Sequence, residues 1–283
     1  MERSKIRSVL PHIILYTVLI CIAIFTLFPL VFALVSSLRS DTEIYKYAMP
    51  FTIRTLIPVE PTLDSYITLF RDFHFLRALM NSLTVVIVLV PCGCLINSIA
   101  AMAFSMFEFK GKNILFAVFM VSFMIPFEAI AIPLYNLVNK LGWVDTKQAL
   151  IIPALANGLV LFLFRQFFKD IPSSLLEAAR VDGASWLTIY FKIIMPNSIP
   201  VFITAGLMLF VQQWNAHMWP LLVARSQESR TIMITLALLK MEDQTLWSCM
   251  YAGSILSIII PVALFLPLQK YFVEGVTSSG VKG

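Results

Sequence analysis

The chain has 283 residues, of which 59% are hydrophobic and only 13% are charged, and its mean hydropathy is +0.86. Soluble domains usually carry about 25% charged residues, so this composition excludes a water-soluble globule and predicts a protein dissolved mainly in lipid. The net charge of +5 comes from Lys and Arg scattered over short loops, which is typical of juxtamembrane positions and not of a nucleic-acid-binding patch.

Six apolar segments predict an all-α polytopic membrane protein with six transmembrane helices, because each is long enough to cross a hydrocarbon core of about 30 Å. They lie at Ile13 to Leu38, Leu79 to Phe107, Ile114 to Val138, Ala149 to Phe168, Ile199 to Val223 and Tyr251 to Phe272. The basic N-terminal head runs into the first apolar segment without a small-residue cleavage site, which indicates a retained helix and not a signal peptide.

Both termini lie on the same side of the membrane if there are six crossings. The basic residues Arg3, Lys5 and Arg7 favour the cytoplasm for that side. Counted loop by loop, Lys and Arg number 11 on this inner side and 10 on the outer side, so charge alone does not fix the orientation.

Proline recurs inside the predicted spans. Each proline removes a backbone donor and kinks its helix, and lipid tolerates this only where neighbouring helices or pore water satisfy the freed carbonyl. Simple kinked packing and a gated cavity are both compatible with this pattern. The residues are Pro91, Pro126, Pro133, Pro153, Pro261 and Pro267.

The segment 171–196, between the fourth and fifth apolar segments, is too polar to cross a membrane and predicts two short helices at its surface. Pro172 suits a first helical turn, where a missing amide donor has no consequence. Asp182 and Gly183 supply a turn, Ser185 can cap a second helix from Trp186 to Ile194, and Pro196 is expected to end that helix.

The predicted hairpin is rich in small side chains, which would let a partner protein dock closely against its backbone. An apolar stripe on its first helix is predicted from the spacing of Leu175, Leu176 and Ala179. Glu177, Arg180 and Asp182 can orient docking through charge. An ordinary surface loop is the alternative interpretation. The small residues are Ala178, Ala179, Gly183 and Ala184.

The same segment carries a motif. It reads Glu-Ala-Ala at 177–179, then Gly183 after three residues, and then Ile-Ile-Met-Pro at 193–196 after nine more. This resembles the signature of the permease subunits of bacterial ATP-binding-cassette importers, whose last element is Ile-x-Leu-Pro, and only Met195 departs from it. The chain is most similar to the carbohydrate branch, and there to the shorter maltose-type permease subunit. Stretches 124–135, 164–168, 214–223 and 271–283 carry that likeness.

The resemblance implies a single permease domain over residues 1–283, with a core at about 75–272, a cytoplasmic coupling hairpin at 171–196 and a tail at 273–283. In the family, the hairpin is the coupling helix and seats in a cleft of the cytoplasmic ATPase. The resemblance implies that role for Glu177, Ala178, Ala179 and Gly183. It also implies cytoplasmic termini, and a tail whose Ser278, Ser279 and Gly280 approach the ATPase dimer interface.

The resemblance further implies partners in the bacterial cytoplasmic (inner) membrane: a second, different permease subunit, two cytoplasmic ATPase subunits and an extracytoplasmic substrate-binding protein. The sequence contains no Gly-rich P-loop ending in Gly-Lys-Ser/Thr, so ATP and Mg are expected on the partner ATPase and no cofactor on this chain. ATPase closure would then move the docked hairpin and switch a cavity between the two sides of the membrane. The implied solute is a sugar or oligosaccharide, with a glycerol phosphate as the alternative.

Polar residues within the apolar segments are candidates for the solute path, because a polar group inside a membrane needs a partner or a cavity. Amides can hydrogen-bond sugar hydroxyls, and an aromatic face can stack on a sugar ring. Glu128 could instead pair with the second permease, and Trp214, like Trp219, also fits an aromatic belt at the membrane interface. The candidates are Glu128, Asn157, Gln212, Trp214 and Asn215.

Two other classes of function fit the sequence less well. An ion-coupled secondary transporter would carry several buried ionisable residues and internal repeats, and it leaves the Glu-Ala-Ala motif unexplained. A membrane-embedded enzyme would show clustered His, Asp or Glu in its spans. The separated His12, His74 and His217 predict no metal site, and the absence of a nucleophile-and-base pair predicts no catalytic site.

Overall fold

The computed structural model describes residues 2–48, 50–240 and 245–280, with side chains described at 12, 14–48, 50–240 and 245–269. Within these residues the regular elements are helical, apart from one antiparallel bridge between Lys240 and Thr245. The chain divides into two compact units, one formed by residues 1–75 and 236–259, the other by residues 76–235 and 260–283.

The first unit contains the N-terminal helix, three short helices and the beginning of the C-terminal helix. Its elements are α1 (Glu2–Ser36), α2 (Asp41–Lys46), α3 (Ile53–Leu56), α4 (Asp64–Arg71) and the first part of α16 (Trp247–Gly280). Its irregular segment is organised by Arg39, which is 2% exposed, lies 3.3 Å from the Glu43 carboxylate and donates to the carbonyl oxygen of Thr55 at 2.9 Å.

The second unit contains the central helices and the polar hairpin. Its elements are α5 (Phe75–Met106), α6 (Lys112–Met124), α7 (Phe127–Lys140), α8 (Lys147–Ile151), α9 (Gly158–Phe168), α10 (Ser173–Val181), α11 (Trp186–Ile189), α12 (Met195–Asn197), α13 (Ile199–Trp214), α14 (Met218–Val223) and α15 (Ile232–Leu238). A 3₁₀ turn at Ile152–Ala154 follows α8, and a π-helical turn at Tyr190–Ile194 joins α11 to α12.

Three helical stretches are long and apolar enough to cross a membrane unbroken: Ile14–Ser36, Phe75–Met106 and Trp247–Gln269. Three pairs of helices bent by more than 40° bring the number to six if each pair is one span. The all-α fold class with six apolar spans is therefore confirmed. The pairs are Lys112–Met124 with Phe127–Lys140, Lys147–Ala154 with Gly158–Phe168, and Trp186–Asn197 with Ile199–Trp214.

The third, fourth and fifth apolar segments are each interrupted. The third bends by 95° at Pro126, because proline lacks an amide donor and forces the preceding Ile125 into an extended conformation (φ −67°, ψ 124°). The fourth is interrupted between Ala154 and Gly158, and the fifth ends at Trp214 before α14 begins. By contrast, α5 continues through Pro91.

The hydrophobic core of the second unit lies where α5, α9, the second half of the hairpin and α13 meet. Two phenylalanines of α9, Phe164 and Phe168, are fully buried there and their rings lie 5.7 Å apart. Ile189 and Ile194 of the hairpin belong to the same cluster. The hairpin is therefore part of the packed body of this unit.

Candidate functional site

The hairpin at 171–196 forms the predicted pair of short helices. Its turn has the geometry of a Schellman motif, because the Gly183 N–H donates to the carbonyl of Arg180 and the Ala184 N–H donates to that of Ala179. Gly183 has φ +80°, a left-handed conformation that favours glycine. Ser185 caps the second helix by accepting from the Thr188 N–H at 3.2 Å.

The second half of the hairpin differs from the sequence prediction. Pro196 does not end the helix; it lies in α12, and the chain bends by 84° after Asn197. Because Pro196 has no N–H, the Lys192 carbonyl loses its usual α-helical donor, and the preceding turn is π-helical. The Tyr190 hydroxyl, in this turn, lies 2.6 Å from Ser98 of α5.

The hairpin surface mixes exposed apolar and acidic side chains. Val181 is 87% exposed and Leu187 is 68% exposed. The carboxylates of Glu177 and Asp182 are exposed too, and neither forms an ion pair within the described part of the chain. Exposed apolar groups beside uncompensated charge indicate a surface suited to a partner protein.

Two groups of hairpin residues have other positions than the sequence suggests. Ala179 and Ala184 are half-buried and pack against the hydrophobic core, so their small size lets the hairpin approach its own helices. Leu176 packs the same way, whereas Leu175 is 43% exposed. Arg180 donates to the Ala184 carbonyl at 2.8 Å and lies over the Trp186 ring, so its charge braces the turn.

A cavity of about 950 Å³ lies within the second unit, among α6, α9, α13 and the later part of α16. Its walls are almost entirely apolar, and Asn157 and Gln212 are the polar side chains among the residues that line it in the described structure. The lining residues are Phe123, Asn157, Gly158, Leu159, Val160, Leu207, Met208, Phe210, Val211, Gln212, Pro261, Val262, Phe265 and Leu266.

The two cavity amides bond to each other. Asn157 Nδ2 donates to Gln212 Oε1 at 2.6 Å, and Asn157 Oδ1 accepts from the Val160 N–H, which caps α9. The Asn157 N–H in turn donates to Asn97 Oδ1 at 2.9 Å. Asn97 Nδ2 donates to the carbonyls of Gly93 and Leu155, both at 2.7 Å. This network supplies partners for backbone groups freed where the fourth span is interrupted.

The structure brings together only two of the five predicted path residues. Glu128 is exposed in the first turn of α7, Asn215 donates to the Val211 carbonyl of its own helix, and neither lines the cavity. Trp214 is buried and stacks on Phe210, a cavity residue, with ring centroids 5.3 Å apart. It therefore supports the cavity wall without lining it.

Trp219 does not form part of an aromatic belt, and buried Trp214 does not either. Trp219 is only 8% exposed, and its indole N–H donates to the Ala149 carbonyl at 2.8 Å. Its ring packs edge-on against Phe127. Both tryptophans are structural residues of the second unit, because each packs against a phenylalanine within it.

Two loops of the second unit are joined through Asp145. Its carboxylate accepts from the N–H groups of Arg225 and Ser226 at 2.6 and 2.7 Å and from the Ser229 hydroxyl at 2.7 Å. Slight burial raises the pKa of Asp145, but the three hydrogen bonds outweigh it and hold that pKa below its ordinary value. The sequence did not predict this contact, because Asp145 lies about 80 residues from its partners Arg225, Ser226 and Ser229.

Metal ligands are not clustered in the described residues, where no group of three or more His, Cys, Asp or Glu could hold an ion.

The tail prediction falls largely outside what the structure describes. The backbone of α16 continues to Gly280, beyond the predicted end at Phe272, whereas Val281–Gly283 and the side chains of Ser278 and Ser279 lie outside the described residues.

Comparison with known proteins finds a family and relatives that are all named as components of transport systems. The family described as "Binding-protein-dependent transport system inner membrane component" matches residues 90–278. The arabinooligosaccharides transport system permease protein of Halalkalibacterium halodurans is 35% identical, with 93% of each chain covered. The trehalose/maltose transport system permease protein of Thermococcus litoralis is 33% identical, over 98% of this chain and 99% of that one.

Other similarities concern a different solute and the fold. The sn-glycerol-3-phosphate transport system permease protein of Rhizobium meliloti is 30% identical, over 98% of this chain and 99% of that one. A chain from the crystal structure of a bacterial ABC transporter involved in the import of the acidic polysaccharide alginate matches with a TM-score of 0.77. It is 24% identical, with 93% of this chain and 96% of that chain covered, and it supports the fold.

Proposed function

Because the chain belongs to the family of binding-protein-dependent transport system inner membrane components, we propose that its cavity forms part of the path for a sugar or oligosaccharide. The chain is a multi-pass permease subunit of an ATP-binding-cassette importer. Relatives named for arabinooligosaccharide and for trehalose/maltose transport, matched over nearly their whole lengths, support a saccharide as the solute.

The observation that carries this proposal is the amide pair on an otherwise apolar cavity wall. Asn157 and Gln212 offer donors and acceptors of the kind that sugar hydroxyls need, and the neighbouring rings of Phe210 and Phe265 provide apolar surface for the faces of sugar rings. Recognition of a phosphate uses Arg, Lys or oriented backbone N–H groups. The described lining residues carry no charged side chain, which favours a neutral saccharide over a glycerol phosphate.

Energy enters through the hairpin in this proposal. Glu177, Ala178 and Gly183 lie on its exposed surface, where a cleft of the ATPase subunit would receive them. Ala179 and Arg180 act indirectly, because Ala179 packs the hairpin on its own core and Arg180 braces the turn. Asp182 adds a negative charge at the exposed end of α10.

The proposed assembly has this chain beside a second permease, two ATPase subunits that bind ATP and Mg, and an extracytoplasmic binding protein. The hairpin and both termini lie in the cytoplasm, and the loops joined by Asp145 then face the outside. This orientation follows from the coupling role and agrees with the basic Arg3, Lys5 and Arg7 at the N-terminus. The chain itself needs no catalytic site or cofactor.

Transport assays on the complete complex in proteoliposomes test the proposal. The probes are arabinotriose, maltose, trehalose and sn-glycerol-3-phosphate, each tested for ATP-dependent uptake with the cognate binding protein present. We expect uptake of a neutral saccharide and none of the phosphate. Uptake of glycerol phosphate alone would refute the saccharide proposal, and uptake driven by an ion gradient without ATP would refute the importer assignment.

A pair of variants tests the amide wall. Gln212→Leu removes a cavity amide and is expected to reduce the apparent affinity for the saccharide by about 1 kcal/mol, roughly fivefold. Asn215→Leu is the matched control, because Asn215 lies three residues away and does not line the cavity. Equal effects of the two substitutions would show that the cavity amide has no special part in solute binding.

A further inference from the structure

Two adjacent polar residues of α5, Asn97 and Ser98, are buried in an otherwise apolar stretch, with exposed fractions of 2% and 0%. Successive residues of a helix point about 100° apart, so the two side chains face different neighbours. Asn97 reaches the interruption of the fourth span, and Ser98 reaches the hairpin. These two adjacent residues of α5 therefore contact the two candidate sites of the second unit.

Asn97 controls the geometry of the cavity wall. It bonds the Leu155 carbonyl and the Asn157 N–H, which are backbone groups on the interrupted stretch between Ala154 and Gly158. Asn157, held in this way, caps α9 and donates to Gln212 across the cavity wall. A shift of α9 relative to α5 would therefore break the Asn97 bonds that hold the Asn157 backbone next to Gln212.

Ser98 holds the hairpin. Its hydroxyl donates to the Leu95 carbonyl at 3.0 Å, which leaves the Tyr190 hydroxyl to donate to Ser98 Oγ across 2.6 Å. Tyr190 is 1% exposed and begins the π-helical turn of the hairpin. A buried hydroxyl without its partner is unfavourable, so this bond fixes the position of the hairpin against α5.

We infer that Asn97 and Ser98 are positioning residues that tie the amide wall of the cavity to the coupling hairpin through α5. The two bonds share one continuous helix, so displacement of the hairpin is transmitted to Asn157 and Gln212 and not absorbed in a loop. Asn157 caps α9, which leads into the hairpin, and Gln212 lies in α13, which follows it. The inference rests on the proposed function, because it explains how ATPase closure reaches the solute path.

The test measures conformational coupling without a transported solute. Leu159, 64% exposed and on the cavity wall, is replaced by cysteine in the full complex. Its reaction rate with a water-soluble maleimide is compared without nucleotide and with ATP plus vanadate, by peptide mass spectrometry so that the four native cysteines do not interfere. Ser98→Ala, Tyr190→Phe and their combination are then introduced into this background.

Ser105→Ala is the matched control, because the Ser105 hydroxyl lies on α5 and, within the described part of the chain, bonds only carbonyls of its own helix. We expect nucleotide to change the Leu159→Cys labelling rate in the parent and in the control. In Ser98→Ala and Tyr190→Phe the ratio of the two rates should fall toward one, by about two- to thirtyfold. The double variant should behave like either single variant, because both remove the same bond.

Recovery of the partner ATPase with each variant, measured by co-purification, separates coupling from misassembly. A nucleotide effect of parental size in both single variants would overturn the inference and leave the proposed function standing. Additive losses in the double variant would also overturn it. No nucleotide effect in the parent complex would overturn both the inference and the proposed importer cavity.

Discussion

Among the described glycines, Gly158 is the position where substitution by alanine should lower the stability of the protein most. It opens α9 at the cavity wall, and a Cβ placed on it would lie 2.3 Å from two ring atoms of Phe123 and 2.6 Å from the Phe123 Cβ. Contacts below 3.0 Å cannot persist, so Gly158→Ala must displace α6 or α9. Overpacking of this kind typically destabilises a protein by about 1–3 kcal/mol.

The assay for Gly158→Ala is thermal unfolding of the purified complex in detergent, followed by the amount of folded chain that remains after heating. Gly206→Ala is the control, because a Cβ there would lie 3.5 Å from Val90, an ordinary contact, and alanine favours the helix. Adding Phe123→Ala removes the ring contacts but keeps the Phe123 Cβ contact, so it should restore only part of the stability lost by Gly158→Ala. Equal stability of Gly158→Ala and Gly206→Ala would refute the packing argument.

Two further predictions concern other parts of the chain. Arg39→Met should destabilise the protein by about 3–5 kcal/mol, because it leaves the Glu43 carboxylate buried without its cation. Adding Glu43→Gln to the same chain should recover part of that loss in a thermal melting experiment. No recovery would contradict the role of the ion pair. The hydrogen bonds to the Asp145 carboxylate should persist at any pH above the ordinary aspartate pKa of about 3.9, because the ionised carboxylate accepts them. They should be lost only as pH falls through the lower pKa that Asp145 has in the folded state. Hydrogen exchange at the Ser226 amide checks this, and loss of protection already at pH 6 would contradict it.

The spans and the hairpin were predictable from sequence because their causes are local. Lipid requires about 20 apolar residues per crossing, so composition alone separates the six segments. The turn at Asp182 and Gly183 and the cap at Ser185 likewise follow from the conformations those residues favour.

The positions and angles of the breaks in the third, fourth and fifth spans were not predictable, because hydropathy does not record backbone direction. Pro126 offered a signal, yet Pro91 is accommodated within a continuous helix, so proline alone does not decide. The interruption after Ala154 depends on Asn97, which is distant in sequence and supplies hydrogen bonds to the freed backbone.

The candidate site was predicted in part for the same reason. Of the residues predicted for the solute path, Asn157 and Gln212 line the cavity, and their part in solute transport stays a prediction. Glu128 and Asn215 do not line this cavity, because helix bending decides which face of a span meets it. The hydrogen bond between Ser98 and Tyr190 joins residues 92 positions apart, so no local sequence pattern predicts it.

Coupling through the hairpin is the central claim, and Gly183→Asp tests it most directly. Gly183 and Gly111 both have left-handed backbones, with φ +80° and +82°, and a Cβ at either would meet no described residue within 4 Å. Gly111→Asp therefore carries the same backbone strain and charge outside the hairpin. The measurement is ATPase activity co-purified with the tagged chain in detergent. The account predicts that Gly183→Asp loses the ATPase while Gly111→Asp keeps it, and full ATPase recovery with Gly183→Asp would contradict the account.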